Sequence, residues 1–266
     1  MGKSTKYAAK TADANGNIPY TEEEHGVWET LITRQRPYVE KYACDEYLDA
    51  LEKMHFPTDR IPQPHEVSAV LRKHTGWEVA PVPALIPFGE FFDLLASKRF
   101  PAASFIRTRE ELDYLQEPDI FHEVFGHTPL LTDPRFAEFT HAYGKAGQAA
   151  NPKDRLMLAR LYWFTVEFGL MNTPKGLKTY GAGIVSSIGE TPYSIESDEP
   201  LRKPFDPIEA LRTQYRIDIF QSVYYVIESL DDLFKVANQD LMELINEARR
   251  LGMYPPTYPP VKKTAA

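Results

Sequence analysis

Cysteine is almost missing from this chain. Cys44 is the only one among 266 residues, so no intramolecular disulfide can form, and zinc fingers and iron–sulfur clusters are excluded. A single thiol fits a reducing cytosol, and a cytoplasmic protein is expected. Long apolar runs are also missing: no stretch of about 18 apolar residues occurs, so no transmembrane helix is expected. The opening residues 1–17 are polar and lack the apolar centre of a secretion signal. Positive charge is in deficit, with 30 Lys and Arg against 38 Asp and Glu and a net charge of −8. That balance argues against nucleic acid or an acidic membrane as partner. A metal, if held, must be held by histidine, carboxylate and water.

Apolar and aromatic residues are plentiful. Hydrophobic residues make up 43% and aromatic residues 12% of the chain, enough for a substantial core in one large domain. No internal repeat or separating linker is evident. The expected fold is mainly α, a single domain of packed helices with a few short β-strands. It spans residues 20–253, between a disordered segment 1–19 and an extended, mobile Pro-rich tail 254–266. Thr21 with Glu24 is a capping box opening the first helix. Helical periodicity returns over 45–54, 66–73 and 91–97, with a linker at 56–64 and a Pro-rich extended loop at 80–88. A helix is expected over 118–125. Asp133-Pro134 opens one to about residue 149, and Asn151-Pro152 opens the longest, to about residue 171. Loop and short strand are expected over 178–195, a helix from Asp206-Pro207, and a short strand pair over 217–226. Ser229 with Asp232 caps a final helix through residue 245, stopped at Gly252.

His122-Glu123-Val124-Phe125-Gly126-His127 is the most informative stretch. A zinc-protease signature places two His four apart on one helical face, with a Glu beside the first as base. Here the two His are five apart. Five steps along an α-helix rotate the side chain by about 140°, which would point the imidazoles apart. Either they share no metal, or the backbone departs from α after Val124. Gly126 permits unusual dihedrals, and Pro129 disfavours the α region at Thr128. The helix is therefore expected to end or widen at His127. The other histidines (His25, His55, His65, His74 and His141) have no comparable context.

On the helix from Asn151, Glu167 is the only charged residue between Leu161 and Asn172, and it lies on the apolar stripe, four after Trp163. A buried carboxylate must pair, protonate or bind metal. A buried salt bridge is the plain reading. Beside His122 and His127, a ligand is the sharper one. Two His and one carboxylate form the facial triad of non-haem Fe(II) oxygenases, but zinc hydrolases use the same set. Ligand identity alone leaves the metal open.

Three longer segments carry a resemblance. Glu117-Pro118-Asp119-Ile120-Phe121-His122-Glu123-Val124-Phe125-Gly126-His127-Thr128-Pro129-Leu130 resembles the iron-binding segment of the tetrahydropterin-dependent aromatic amino acid hydroxylases. Tyr162-Trp163-Phe164-Thr165-Val166-Glu167-Phe168-Gly169-Leu170 is similar to the segment with their third ligand. Tyr180-Gly181-Ala182-Gly183-Ile184-Val185-Ser186-Ser187-Ile188-Gly189-Glu190 is similar to their third hallmark. The resemblance covers residues 21–225 and is nearest to the short bacterial phenylalanine-hydroxylating members. The chain has no room for the N-terminal regulatory domain or the long C-terminal oligomerisation helix of animal members, so a monomer is expected.

The resemblance implies mononuclear Fe(II) held by His122, His127 and Glu167, with O₂ and a tetrahydropterin as co-substrates. It implies Arg107 for the substrate carboxylate, Asp119 steadying that region, and Trp163, Gly183 and Ser186 lining the amino-acid pocket. For the pterin it implies Phe91 as the stacking ring, with Ile86, Glu123, Ala159 and Tyr162 around it. Glu123 and Tyr162 are also the candidate catalytic groups. Taken singly, Phe91, Ala159, Tyr162 and Trp163 read as core, Arg107 as a surface charge, Asp119 as a helix cap and Gly183 as a turn. Two positions depart from animal members: Leu115 replaces a Thr near the substrate, and Phe88 replaces a Ser in the pterin loop. Trp163 stands where tryptophan-specific members tend to carry Phe, and Ile217 where tyrosine-specific members carry Asp. The implied activity is para-hydroxylation of L-phenylalanine to L-tyrosine. The alternatives are a zinc hydrolase on the same ligands and a non-catalytic helical metal-binding domain.

Overall fold

In a computed structural model, the structure describes residues 7, 9–82, 86–115 and 117–258. Helix α1 (Glu22–Tyr42) begins at the expected box: Thr21 Oγ1 accepts from Glu24 N at 3.3 Å and Thr21 N donates to Glu24 Oε2 at 2.7 Å. Its inner face buries Val27, Trp28, Leu31, Ile32 and Val39. Helices α2 (Asp45–Met54) and α3 (Pro64–His74) follow. Strand β1 (Glu78–Val82) pairs in parallel with β2 (Arg99–Ala103), and α4 (Phe88–Ala96) lies between them in sequence. The expected loop over 80–88 is thus partly strand, because Ala80, Pro81 and Val82 join this pairing; residues 83–85 lie outside the described set.

Helix α5 (Pro134–Ala149) starts at its Asp133 cap and packs on α4. Helix α6 (Pro152–Tyr162) is shorter than expected. The chain then makes a wide turn and enters strand β3 (Gly169–Thr173), so residues 169–171 are strand instead of helix. β3 pairs antiparallel with β4 (Gly176–Thr179), and their backbone groups find partners in this sheet. Short helices α7 (Ala182–Val185) and α8 (Glu190–Glu196) occupy the region expected to be loop and short strand. Strand β5 (Leu201–Pro204), helix α9 (Pro207–Arg212) and strand β6 (Val223–Ile227) complete a four-stranded sheet in the order β4-β3-β6-β5. Of the strand pair expected over 217–226, only residues 223–226 are strand, and that strand runs on to 227.

The expected single C-terminal helix is two: α10 (Leu230–Ala237) and α11 (Leu241–Leu251). Asp240 breaks it by capping anew, accepting from Met242 N at 2.8 Å and Glu243 N at 3.2 Å. The mainly α expectation holds, with a large aromatic-rich core that includes Trp28, Trp77, Phe92, Phe121, Phe125, Phe139 and Tyr143 and a smaller cluster of Leu170, Ile184, Tyr224 and Val226.

Both expected loose ends touch the domain where they are described. Tyr7 stacks on Phe105 at 4.4 Å, Lys10 N donates to Ser104 Oγ at 2.9 Å, and Ile18 is buried. In the tail, Tyr254 N donates to Arg212 O at 3.0 Å, and the Thr257 and Ser222 hydroxyls are 2.8 Å apart.

Candidate active site at two π-helical turns

The five-residue spacing is resolved by the backbone. Residues His122–His127 form a π-helical turn. A π turn closes i→i+5 hydrogen bonds, so residues five apart stand over one another. The widening is local: Glu123 N donates to Asp119 O at 3.0 Å and Thr128 N to Val124 O at 3.3 Å, both α-type. Gly126 is not present for a positive φ. A Cβ there would stand 2.9 Å from Ala182 O, so glycine admits the close approach of α7. A second π turn, Trp163–Glu167, ends α6 and closes through Phe168 N to Trp163 O at 2.9 Å. It turns Glu167 toward the first.

Two imidazoles and one carboxylate converge, the carboxylate through Oε1 toward His127 and Oε2 toward His122. His122 Nε2 and His127 Nε2 are 3.1 Å apart, and Glu167 lies 3.2 Å from His127 Nε2 and 3.5 Å from His122 Nε2. Donors sharing one face of an octahedron, with bonds of about 2.1 Å, lie about 3.0 Å apart. The spacing fits one metal ion. The hydrogen bonds fit as well: Ser186 Oγ donates to Ala182 O at 2.7 Å, so toward His122 Nδ1 at 2.9 Å it accepts. The hydrogen of His122 therefore sits on Nδ1 and the Nε2 lone pair faces the other donors. Burial first of all lowers the His122 pKa to about 4, keeping the ring neutral. His127 Nδ1 is buried with no partner among the described residues, and the ring lies against Phe100 at 4.9 Å.

Two carboxylates compete for the third position. Glu123 also lies near both rings, 4.0 Å from His127 Nε2, and its nearest atoms fall within 4.8 Å of theirs. Glu167 is closer, and the environment separates the two. Burial raises the Glu123 carboxyl well above the usual range, and Glu167 and Asp119 push it the same way. Burial also opposes Glu167, but His127 and His122 outweigh it and hold that carboxyl low. The two environments thus push the carboxyls apart, Glu167 toward the ionised form and Glu123 toward the protonated one.

Arg107 is buried, and its fork grips Asp119: Nε to Oδ2 is 2.8 Å and Nη2 to Oδ1 is 3.0 Å. Asp119 also accepts from Arg107 N at 3.0 Å and His122 N at 3.1 Å. Burial would raise this carboxyl, but Arg107 overrides it and holds it low. Asp119 is therefore a brace between Arg107 and the first His, with no oxygen left for a ligand. Among the described residues, the Nη1/Nη2 edge of Arg107 keeps only a 3.5 Å contact to Leu112 O, so it can receive a carboxylate.

On the other side, Phe91 meets Tyr162 edge-on at 5.6 Å, and Tyr162 lies 6.1 Å from the His127 ring. Ala159 is half-buried on α6, and Ile86 is half-buried just before α4. Trp163 opens the second π turn. Gly183 serves packing: a Cβ would meet Phe168 Cζ at 2.7 Å and Glu167 O at 3.1 Å. Ser186 supports His122 in addition to any pocket role. Ile217, which stands where tyrosine-specific members carry Asp, is 58% exposed in this structure.

Three residues behind Trp163 escape a reading by motif. Trp163 Nε1 donates to Gln221 Oε1 at 2.9 Å, Gln221 N donates to Glu190 Oε1 at 3.0 Å, and the Tyr224 hydroxyl donates to that same oxygen. Glu190 ends the third hallmark segment, but its partners lie more than thirty residues away, beyond any local spacing signal.

Comparison with known proteins agrees with this geometry. Residues 3–251 match the model of the biopterin-dependent aromatic amino acid hydroxylase family. The chain is 59% identical over 258 residues to the phenylalanine-4-hydroxylase of Pseudomonas aeruginosa, covering 97% of this chain and 98% of that one. The apo structure of the cold-active phenylalanine hydroxylase from Colwellia psychrerythraea 34H superposes with a TM-score of 0.93 at 54% identity, covering 94% and 97% of the two chains. A Chromobacterium violaceum phenylalanine hydroxylase with bound oxidised Fe(III) matches at a TM-score of 0.86 and 44% identity, covering 92% and 91%. With a match of that extent over a fold that turns two π segments toward one point, the chain belongs to the biopterin-dependent aromatic amino acid hydroxylases.

Proposed function

We propose that the protein converts L-phenylalanine to L-tyrosine with O₂ and a tetrahydropterin at a single Fe(II) held by His122, His127 and Glu167. The observation that carries this is the convergence of two Nε2 atoms and one ionised carboxylate within 3.1–3.5 Å, one braced residue away from a buried arginine fork. When bound, the iron and the reduced pterin supply the activated oxygen and the two electrons that hydroxylation requires.

The chain's own residues do the rest. Arg107 binds the amino-acid carboxylate along its free edge, and Asp119 fixes that edge relative to His122. Trp163 walls the aromatic ring of the substrate. Phe91 stacks on the pterin, with Ile86, Ala159 and Tyr162 around it and Glu123 offering a proton-bearing oxygen to it. Tyr162 and the buried aromatics keep water from the reacting atoms. Ligands of this number leave coordination positions open, unlike a structural site closed by four protein donors.

The same reading takes the protein as a cytoplasmic monomer. The sole cysteine is buried, and among the described residues no helix is long and apolar enough to cross a membrane. Leu241, Ile245 and Ala248 of α11 are buried within the chain, against α5, α6 and α9. Aerobic incubation with phenylalanine, Fe(II) and a tetrahydropterin is expected to yield tyrosine in proportion to bound iron. No tyrosine, or zinc-supported hydrolysis in its place, would sink the reading.

A further inference from the structure

The loop over residues 213–222 meets Trp163 from behind, and the meeting is built. Gln221 is 4% exposed, and both ends of its side-chain amide are hydrogen-bonded. Oε1 accepts the indole N–H at 2.9 Å, while Nε2 donates to Arg216 O at 3.0 Å and Ile219 O at 3.1 Å. An indole only donates and a carbonyl only accepts, so a flipped amide would satisfy none of the three. The Gln221 backbone N–H is anchored in turn on the buried Glu190 carboxyl at 3.0 Å, which Tyr224 also holds. On the ring face, Tyr215 stacks on Trp163 with centroids 4.2 Å apart and planes 10° apart. One indole is therefore gripped by its edge and by its face from a single loop. The same π turn that carries this indole carries Glu167.

We propose that Gln221 is a positioning residue for the aromatic substrate. It fixes the plane of Trp163, ties the 213–222 loop to that plane, and so sets where the substrate ring rests relative to the iron. This rests on the reading of Trp163 as the pocket wall. A purely structural amide would, when removed, lower stability and leave chemistry per turnover intact. A positioning amide does more. With the ring misplaced, tetrahydropterin passes two electrons and two protons to O₂, leaving hydrogen peroxide and no new C–O bond.

The test compares wild type with Gln221→Met, Trp163→Phe and the double variant. It records tyrosine formed per tetrahydropterin oxidised, KM for phenylalanine and for tetrahydropterin, and bound iron. Gln221→Met should lower the tyrosine-to-pterin ratio at least about twofold and raise KM for phenylalanine about five- to tenfold, the scale of lost neutral hydrogen bonds. Iron content and KM for tetrahydropterin should stay at wild-type values. The double variant should be no worse than the worse single one, since both remove one bond. Should Gln221→Met be insoluble, Gln221→Asn, one methylene short of the indole, is read in the same way. A wild-type ratio and KM in the variant, or full additivity in the double, would overturn the proposal while leaving the functional reading standing. No tyrosine from the wild type would overturn both.

Discussion

His122 points its Nε2 lone pair at His127 and Glu167 because Ser186 takes the hydrogen on Nδ1. Ser186→Ala should therefore leave the three donors in place but free the ring to turn and to change tautomer. Iron affinity is expected to fall about 10- to 100-fold, the usual effect of removing such a support, as read by anaerobic Fe(II) titration. Arg107 shows a division within one side chain: Nε and Nη2 hold Asp119, and the other edge keeps, among the described residues, only a 3.5 Å contact to Leu112 O. Arg107→Lys keeps the charge and loses both forks. KM for phenylalanine should rise at least about tenfold, with KM for tetrahydropterin unchanged; equal rises in both would argue against a substrate role. At this scale the sequence is legible where chemistry violates its surroundings. Glu167 stands alone on an apolar stripe, and that conflict marks it. Asp119 and Gln221 violate nothing locally: Asp119 reads as a helix cap, and the Trp163 and Glu190 that Gln221 meets come from distant parts of the chain.

The two π turns do what no α-helix could. Between His122 and His127, i→i+5 closure brings residues five apart onto one face, and the Trp163–Glu167 turn presents the carboxylate to them. Helix α7 wedges against both turns, and the fit depends on glycine at Gly126, where a Cβ would lie 2.9 Å from Ala182 O. Gly126→Ala should push α7 away, costing about 1–3 kcal/mol and loosening Ser186 from His122. Denaturant unfolding and Fe(II) titration should both weaken; a variant with normal stability and normal iron affinity would refute this role. The widening after Val124 is legible from the spacing, but its cause is not. Gly126 suggests unusual dihedrals, whereas the structure uses its missing side chain. Helix starts with a capping residue and Pro read well: α5, α6 and α9 begin at Pro134, Pro152 and Pro207. Ends read poorly. Strand β3 pairs locally with β4 but also with β6 some fifty residues later, and no local pattern encodes the second pairing.

In the whole molecule, the site sits between one helical core and one four-stranded sheet, and buried polar groups join them. Glu190 reports on that junction. Burial lifts its carboxyl from 4.5 to about 7, against the lowering pull of Gln221 N and Tyr224. A folded pKa above the unfolded one means stability that is fully present below about 4.5 and lost as pH rises through about 7. At about 1.4 kcal/mol per pKa unit, the loss is roughly 3 kcal/mol. Glu190→Gln should flatten that part of the profile, so that its stability relative to wild type grows between pH 5 and pH 8; an unchanged difference would contradict the buried-acid picture. The domain-level expectation of one mainly helical body came from composition and periodicity, which average over errors in single elements. The central claim is that two π turns make one iron site in which Glu167, not Glu123, is the third ligand. Anaerobic Fe(II) titration of wild type, Glu167→Ala and Glu123→Gln tests it directly. One tightly bound iron per chain is predicted for wild type and for Glu123→Gln, with binding at least about tenfold weaker in Glu167→Ala. Tight iron in Glu167→Ala together with its loss in Glu123→Gln would contradict the account.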